Sequence, residues 1–125
     1  MANKIPRVAV REQDAKVRAH NFEEVSYGYD RQEAMLEAGR CLHCKNPRCV
    51  GGCPVSIQIP DFIAHVAEGD IAAASAVIAK DSLLPAVCGR VCPQEKQCQK
   101  NCTMGKALKD VNKAVAIGRV ERYCA

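Results

Sequence analysis

The feature that most constrains this chain is its cysteine content: nine of 125 residues are cysteines, and eight of them lie in two short segments. Intramolecular disulfides cannot pair an odd number completely. The amino terminus, Met1 to Val10, has no continuous apolar stretch of the kind that directs secretion. We therefore expect a cytoplasmic protein, in which dense cysteine points to metal or redox chemistry rather than to disulfides.

The first segment reads RCLHCKNPRCVGGCP, from Arg40 to Pro54, with the spacing C-x2-C-x4-C-x3-C-P. This spacing is related in form to the bacterial ferredoxin run, in which three cysteines hold one 4Fe-4S cluster and a fourth reaches a second cluster. The other segment, CGRVCPQEKQCQKNC, runs from Cys88 to Cys102 with different spacings. Iron-sulfur clusters are favoured, since tetrahedral zinc sites usually join two short C-x2-C knuckles. Zinc, disulfides and free thiols stay open as alternatives.

The composition favours a single domain of small, closely packed helices. Apolar residues make up 48% of the chain, but it has only two Phe, three Tyr and no Trp. The longest run of small apolar residues, Ile71 to Ala79, is far shorter than the ~20 residues that span a bilayer. A net charge of +4 without a nucleic-acid-binding motif predicts neither a membrane nor a nucleic-acid partner. The chain also contains no Gly-rich nucleotide-binding fingerprint, P-loop or convincing Ser/His/Asp set.

Local patterns predict where the first helices begin. Residues 1–25 are polar and mixed in charge, which indicates an extended or partly helical arm. Asp30 followed by Glu33 is typical of a capping box, and the helix it starts should end at Gly39. Asp70 is expected to cap another helix in the same way.

Two further patterns concern the middle and the end of the chain. Val55, Ile57 and Ile59 alternate as in a β-strand, and Pro60 then suits the first turn of a helix. The stretch from Val111 to Tyr123 has helical periodicity and predicts one last helix.

Four motifs in order resemble one known family. They cover most of the chain from Asn21 to Tyr123: NFEEVSYGY, EAGRCLHCKNPRCVGGCPVSIQIPDFI, LPAVCGRVCPQEKQCQKNC and VAIGRVERY. The chain resembles the amino-terminal iron-sulfur domain of the NADPH-dependent glutamate synthase small (beta) subunit, which is shared with dihydropyrimidine dehydrogenase and NADH-dependent ferredoxin:NADP oxidoreductases. The resemblance implies an all-α domain of the alpha-helical ferredoxin type, over residues 26–125, wrapped around two 4Fe-4S clusters.

The resemblance also implies which residues are the ligands. The first cluster is expected to be held by four cysteines: Cys41, Cys44, Cys49 and Cys102. The second is expected to take three cysteines and a side-chain oxygen from the last helix: Cys53, Cys92, Cys98 and Glu121. Taken alone, Glu121 would be interpreted as a solvated surface charge.

The remaining cysteines and the glycines near them have expected roles as well. Cys88 is the rival for the corner assigned to Glu121, and the family interpretation makes it a buried thiol that is not a ligand. Cys124 is expected to end the last helix without a ligand role. Gly51, Gly52 and Gly89 are expected to allow tight backbone turns beside the cysteines.

The function implied by the resemblance is electron transfer without a catalytic side chain on this chain. Single electrons would pass between FAD and a partner redox centre, in the synthesis of L-glutamate from 2-oxoglutarate and glutamine. FAD and NADPH would be bound by a partner or a further domain, and a glutamate synthase large subunit-type protein would be the other partner. We expect a fragment or separate chain that acts with a flavoprotein. The alternative is a zinc-stabilised subunit-interaction domain without redox turnover.

Overall fold

The computed structural model describes residues 5–125, so the first four residues of the predicted arm lie outside it. Helices dominate this part of the chain, with one pair of very short antiparallel strands, β1 and β2. The all-α prediction is confirmed. The elements in chain order are β1 (Arg11–Glu12), α1 (Ala15–Arg18), β2 (Ser26–Gly28), α2 (Arg31–Ala38), α3 (Arg48–Gly52), α4 (Ile59–Ala67), α5 (Ile71–Ala79), α6 (Pro85–Val91), α7 (Thr103–Ala107) and α8 (Ile117–Cys124). Three short 3-10 turns lie between the later helices: Gln94–Lys96, Gln99–Asn101 and Val111–Lys113.

The predicted helix starts are confirmed by their hydrogen bonds. The Asp30 side chain accepts from the backbone N–H of Glu33, and the Glu33 carboxylate accepts from the Asp30 N–H, which completes a capping box. The Asp70 carboxylate accepts from the N–H of Ala73 at the start of α5. Pro60 lies in the first turn of α4, where its missing N–H leaves no intrahelical bond unmade.

The strand-like alternation before α4 does not form a strand. Ile57 and Ile59 are both buried while Val55 is exposed, but Ile59 already begins α4. Ser56 has a φ of 54°, which turns the chain between these positions and is incompatible with an extended strand. The alternating burial is therefore produced by a turn that leads into a helix.

The predicted last helix, Val111 to Tyr123, is also wrong over its first part. The 3-10 turn at the start of this stretch ends at Lys113, Ala114 is extended, and α8 begins only at Ile117. The physical reason is that backbone groups between this 3-10 turn and α8 form hydrogen bonds to side chains instead of bonds within a helix. The carbonyl oxygens of Lys113 and Ala114 accept from Arg40, and the N–H of Ala116 donates to Glu37.

The core lies where α2, α4, α5 and α8 meet. Helix α4 contributes its buried face through Phe62, Ile63 and Val66, as its periodicity predicts. Ile78 of α5 and Val120 of α8 pack into the same cluster. Helix α8 also packs closely on α6, so the last helix is in contact with both the core and the second cysteine segment.

A buried ion pair joins distant parts of the chain. Glu37 and Arg40 are 0% and 1% exposed, and their side chains are 2.6 Å apart. The Glu37 carboxylate also accepts from the N–H groups of Val8 and Ala116, both at 2.8 Å. The arm, the end of α2 and the segment before α8 are therefore held by one charged pair. Nothing in the sequence pattern marks it, because a Glu near the end of a helix and an Arg just beyond that end usually form an exposed pair.

The arm lies against the body of the protein. Hydrogen bonds also act within the arm, where Gln13 is buried: its backbone N–H donates to the carbonyl of Val25 and its side-chain amide to the carbonyl of Glu24. The Tyr29 hydroxyl donates to the carbonyl of Val8 at 2.6 Å.

Within residues 5–125, none of the helices combines the length and the apolar character needed to cross a bilayer.

Candidate metal centres

The first candidate site is a cavity whose wall includes four cysteines from both cysteine segments. Cys41 and Cys44 lie in the loop after α2, Cys49 lies in α3, and Cys102 immediately precedes α7. These are the four residues that the sequence predicts for one cluster. The fold brings Cys102 to the other three although it is more than fifty residues away in the chain.

The surroundings of this cavity combine apolar walls with a few polar contacts to sulfur. Ile59, Ile63 and Ile117 line it from the core side. The backbone N–H of His43 donates to the sulfur of Cys41 at 3.4 Å, and the Cys44 thiol lies 3.3 Å from the Thr103 hydroxyl. N–H groups that point at sulfur stabilise a charged thiolate.

The second candidate site is another cavity lined by residues of α4 and α8. Its wall contains the four residues predicted for the other cluster, together with a fifth possible ligand. Cys53 follows α3, Cys92 follows α6, Cys98 begins a 3-10 turn and Glu121 lies in the middle of α8. Cys88, on α6, is the fifth.

Glu121 is the most informative residue in the second cavity. It is 8% exposed, and its Oε1 atom is buried without a hydrogen-bond partner among the described residues. Burial raises the pKa of this carboxyl to about 7. A solvated surface charge has none of these properties. The interpretation of Glu121 as such a charge, which its local sequence suggests, is therefore wrong. An unpartnered buried oxygen that faces a cavity suits a metal ligand.

Three of the candidate ligands, Cys41, Cys49 and Cys98, lie in surroundings that favour the neutral thiol when no cation is bound. Burial raises the pKa of the Cys41 thiol, and it raises those of Cys49 and Cys98 to about 12. Neighbouring thiols add to the shift at Cys49, because several negative charges in one cavity repel each other. Binding of iron or another cation would therefore release protons from these thiols.

The donor groups surround each cavity and do not converge on a single point. Across residues 5–125, no three His, Cys, Asp or Glu side chains form a group that could hold a metal ion directly. The two cavities adjoin, since Ile59 and Ile117 line both. Cys49 of the first set and Cys98 of the second are near enough to interact electrostatically.

Two glycines allow the backbone to approach closely beside the cysteines. A Cβ at Gly52 would lie 2.6 Å from the Asn101 side chain and 2.7 Å from the Gln97 carbonyl oxygen. A Cβ at Gly89 would lie 2.8 Å from the backbone nitrogen of Arg122. These two positions therefore serve close packing, and neither has a positive φ. At Gly51 a Cβ would meet nothing within 4 Å, so the expected role of that glycine has no counterpart in its surroundings.

The two cysteines without an assigned ligand role differ in their surroundings. Cys88 is half-buried rather than buried, and its thiol interacts with that of Cys92 at the second cavity. Cys124 is the last residue of α8, as predicted, and its side chain is buried in the core.

Comparison with known proteins matches residues 18–125 to the family model described as dihydropyrimidine dehydrogenase domain II, 4Fe-4S cluster. A glutamate synthase [NADPH] small chain from Halomonas elongata is 45% identical over 109 residues, which are 87% of this chain and 22% of that protein. The corresponding Escherichia coli small chain is 39% identical over 95% of this chain and 24% of its own length. The NAD-dependent dihydropyrimidine dehydrogenase subunit PreT of Salmonella typhimurium is 34% identical over 82% of this chain and 24% of its own length. The chain thus spans about a quarter of these relatives.

Proposed function

Because the chain belongs to the dihydropyrimidine dehydrogenase domain II 4Fe-4S family, an iron-sulfur domain of glutamate synthase small-subunit-like oxidoreductases, we propose that it carries two 4Fe-4S clusters. Through these clusters it relays single electrons between FAD and a partner redox centre. The observation that carries the proposal is that each of two adjoining cavities is lined by one complete set of four predicted ligands.

The first cavity would hold its cluster with thiolates alone. Its ligands are Cys41, Cys44, Cys49 and Cys102, all of which face the same space. The cluster would supply reversible one-electron chemistry when bound. The apolar side chains of Ile59 and Ile63 keep water from the core side of this cavity, which lowers the local dielectric and so affects the reduction potential.

The second cavity would hold its cluster with mixed ligands: Cys53, Cys92, Cys98 and Glu121. The residues present fit that group, since the buried Oε1 of Glu121 has no other partner among the described residues. An oxygen ligand changes the net charge of a cluster and thereby separates its potential from that of an all-cysteine cluster. Cys88 then remains a thiol beside the ligands, and it is not one of them.

The partners follow from the relatives and from the chemistry. FAD and NADPH would be bound by a separate domain or subunit, and a glutamate synthase large subunit-type protein would exchange electrons with the clusters. L-glutamate formation from 2-oxoglutarate and glutamine would be the reaction of the complete enzyme, located in the cytoplasm. The role of this chain is to hold and insulate the clusters, with no side chain acting as an acid, base or nucleophile.

Paired variants at the second cavity test the proposal. We expect Glu121→Ala to change the electron paramagnetic resonance signal of one reduced cluster and to leave the other signal intact. Cys88→Ala is the matched control at the same cavity, and it should preserve both signals. Unchanged signals in Glu121→Ala would show that Glu121 is not a ligand. Loss of one signal in Cys88→Ala would show that Cys88 is a ligand in its place.

The relay itself is tested by reductive titration of the anaerobic protein. The chain should take up about two electrons, in two separate one-electron steps at different potentials. It should then return them to an added one-electron acceptor with its spectrum restored. A chain that takes up no electrons between the potentials of dithionite and ferricyanide does not relay them.

A further inference from the structure

A third cavity contains no cysteine and adjoins the second cysteine-lined cavity at Gln94, which lines both. It is an open cleft with about 1350 Å³ of free space, between the arm, the 3-10 turns and α8. Its walls carry four arginines, three glutamates and several amide side chains; the charged members are Arg7, Arg90, Arg119, Arg122, Glu12, Glu24 and Glu95.

One of these arginines, Arg7, is held in place by hydrogen bonds to backbone carbonyl groups. Arg7 donates from Nε to the carbonyl of Ala114 and from Nη2 to the carbonyl of Val111, both at 2.9 Å. The Arg7 guanidinium is therefore oriented in advance, which reduces the entropy lost when a ligand binds. Arg119 lies close enough to the Tyr29 hydroxyl and to Arg7 to interact with both electrostatically.

The charges on Arg7 and Arg119 are not compensated within the cleft. Among residues 5–125, neither forms an ion pair with a carboxylate within 4.0 Å, whereas Glu24 lies 2.9 Å from Arg122 and also pairs with Arg90. Burial, and next the positive charge of Arg119, lower the pKa of the Arg7 guanidinium. The carboxylate that acts favourably on Arg7 is Glu37, which is already paired with Arg40, so neither Arg7 nor Arg119 has an ion-pair partner of its own among these residues.

The other carboxylates that line the cleft do not act as counterions to Arg7 or Arg119. Glu12 pairs with Arg18 at 3.7 Å, and Glu95 is exposed on a 3-10 turn. Gln99, by contrast, is only 9% exposed and lines the same cleft, and its side-chain amide forms no hydrogen bond to any of the described residues. The Gln99 amide is not among the fully buried unpartnered atoms of the described residues, so it is accessible to a ligand or water in the cleft.

We propose that this cleft binds a phosphate group between Arg7 and Arg119, with the Gln99 amide as a further hydrogen-bond donor. A phosphate monoester carries a charge of about −1.5 to −2 at neutral pH, which matches the two uncompensated guanidinium groups. Guanidinium groups bind phosphate oxygens in pairs through their fork of N–H donors. The phosphate source is either free phosphate or the phosphate group of a small organic molecule. The site does not depend on the proposed clusters.

Calorimetric titration of the full chain with inorganic phosphate, in chloride buffer at constant ionic strength, tests the proposal. We expect one phosphate site per chain, with acetate binding far more weakly. Arg119→Gln should weaken phosphate binding about tenfold or more, because it removes a charged hydrogen-bond donor. The matched control is Arg11→Gln, which removes the same charge from an exposed arginine outside the cleft and should change the affinity by less than about twofold.

Titration with AMP distinguishes the two phosphate sources. Tighter binding of AMP than of inorganic phosphate indicates an organic phosphate, and equal binding indicates free phosphate; either result supports the site. If Arg119→Gln is unfolded by circular dichroism, Arg119→Lys replaces it, because lysine keeps the charge but loses the fork. Weaker phosphate binding is then expected. Phosphate binding no stronger than acetate binding, equal losses in the Arg119 and Arg11 variants, or unchanged binding in Arg119→Lys would overturn the proposal.

Discussion

The buried pair of Glu37 and Arg40 gives a sharp prediction about stability. Replacing Glu37 by Gln removes the negative charge and leaves the Arg40 guanidinium buried without its counterion. Removing one partner of a buried ion pair costs about 3–5 kcal/mol. For a domain of this size, each kcal/mol lowers the melting temperature by roughly 3–5 °C, so we expect a decrease of roughly 9–25 °C.

The three hydrogen bonds to the Glu37 carboxylate make this estimate specific to the site. One oxygen accepts from Arg40 and the N–H of Ala116, and the other accepts from the N–H of Val8. The amide nitrogen of Gln cannot accept, so at least one N–H loses its partner in the variant. The matched control is Glu12→Gln, which breaks the exposed 3.7 Å pair with Arg18 and should cost no more than about 1 kcal/mol.

Thermal unfolding of the two variants, followed anaerobically by far-ultraviolet circular dichroism, measures the difference. Arg40 immediately precedes Cys41, and Ala116 immediately precedes α8, which carries Glu121. We therefore also expect faster loss of iron from the Glu37 variant than from the Glu12 variant. Equal melting temperatures in the two variants would refute the claim that this buried pair holds the arm, α2 and the last helix together.

Two glycine substitutions test the close approaches beside the cavities. Gly52→Ala should destabilise the protein by about 1–3 kcal/mol in chemical unfolding, because its Cβ would collide with Asn101, whereas Gly51→Ala should be neutral or slightly stabilising; equal effects would contradict the packing at α3. Gly89→Ala should push α6 away from the backbone of Arg122, so that iron falls from about eight to about four atoms per chain as the second cluster is lost. A full iron content in that variant would show that the spacing of α6 and α8 does not control the second site.

The iron-sulfur chemistry could be predicted from the cysteine spacing, because that spacing is local information in the sequence. The spacing from Cys41 to Cys53 suggests by its form alone a ferredoxin-like cysteine run, and the helix capped by Asp30 follows from a local capping rule. The prediction that Cys102 and Glu121 complete the two ligand sets rests only on the resemblance to a family. Their distance along the chain from the other ligands does not indicate how close they lie in the fold, because long-range packing brings them to the cavities.

Other features could not be predicted, because tertiary contacts override the local pattern. The helical periodicity from Val111 onward is real, but the carbonyl groups of Lys113 and Ala114 bind Arg40 rather than continuing a helix. Ile57 and Ile59 alternate with polar residues because a turn and a helix start bury both of them. In each case the hydrophobic pattern indicates which side chains are buried, but it does not indicate the backbone conformation in which they are buried.

The measurement that tests the central claim most directly is the iron, sulfide and zinc content of anaerobically purified protein. Two clusters predict a brown protein with about eight iron and eight sulfide per chain. A colourless, stably folded protein with stoichiometric zinc and no sulfide would contradict the electron-transfer account and would favour a zinc-stabilised interaction domain.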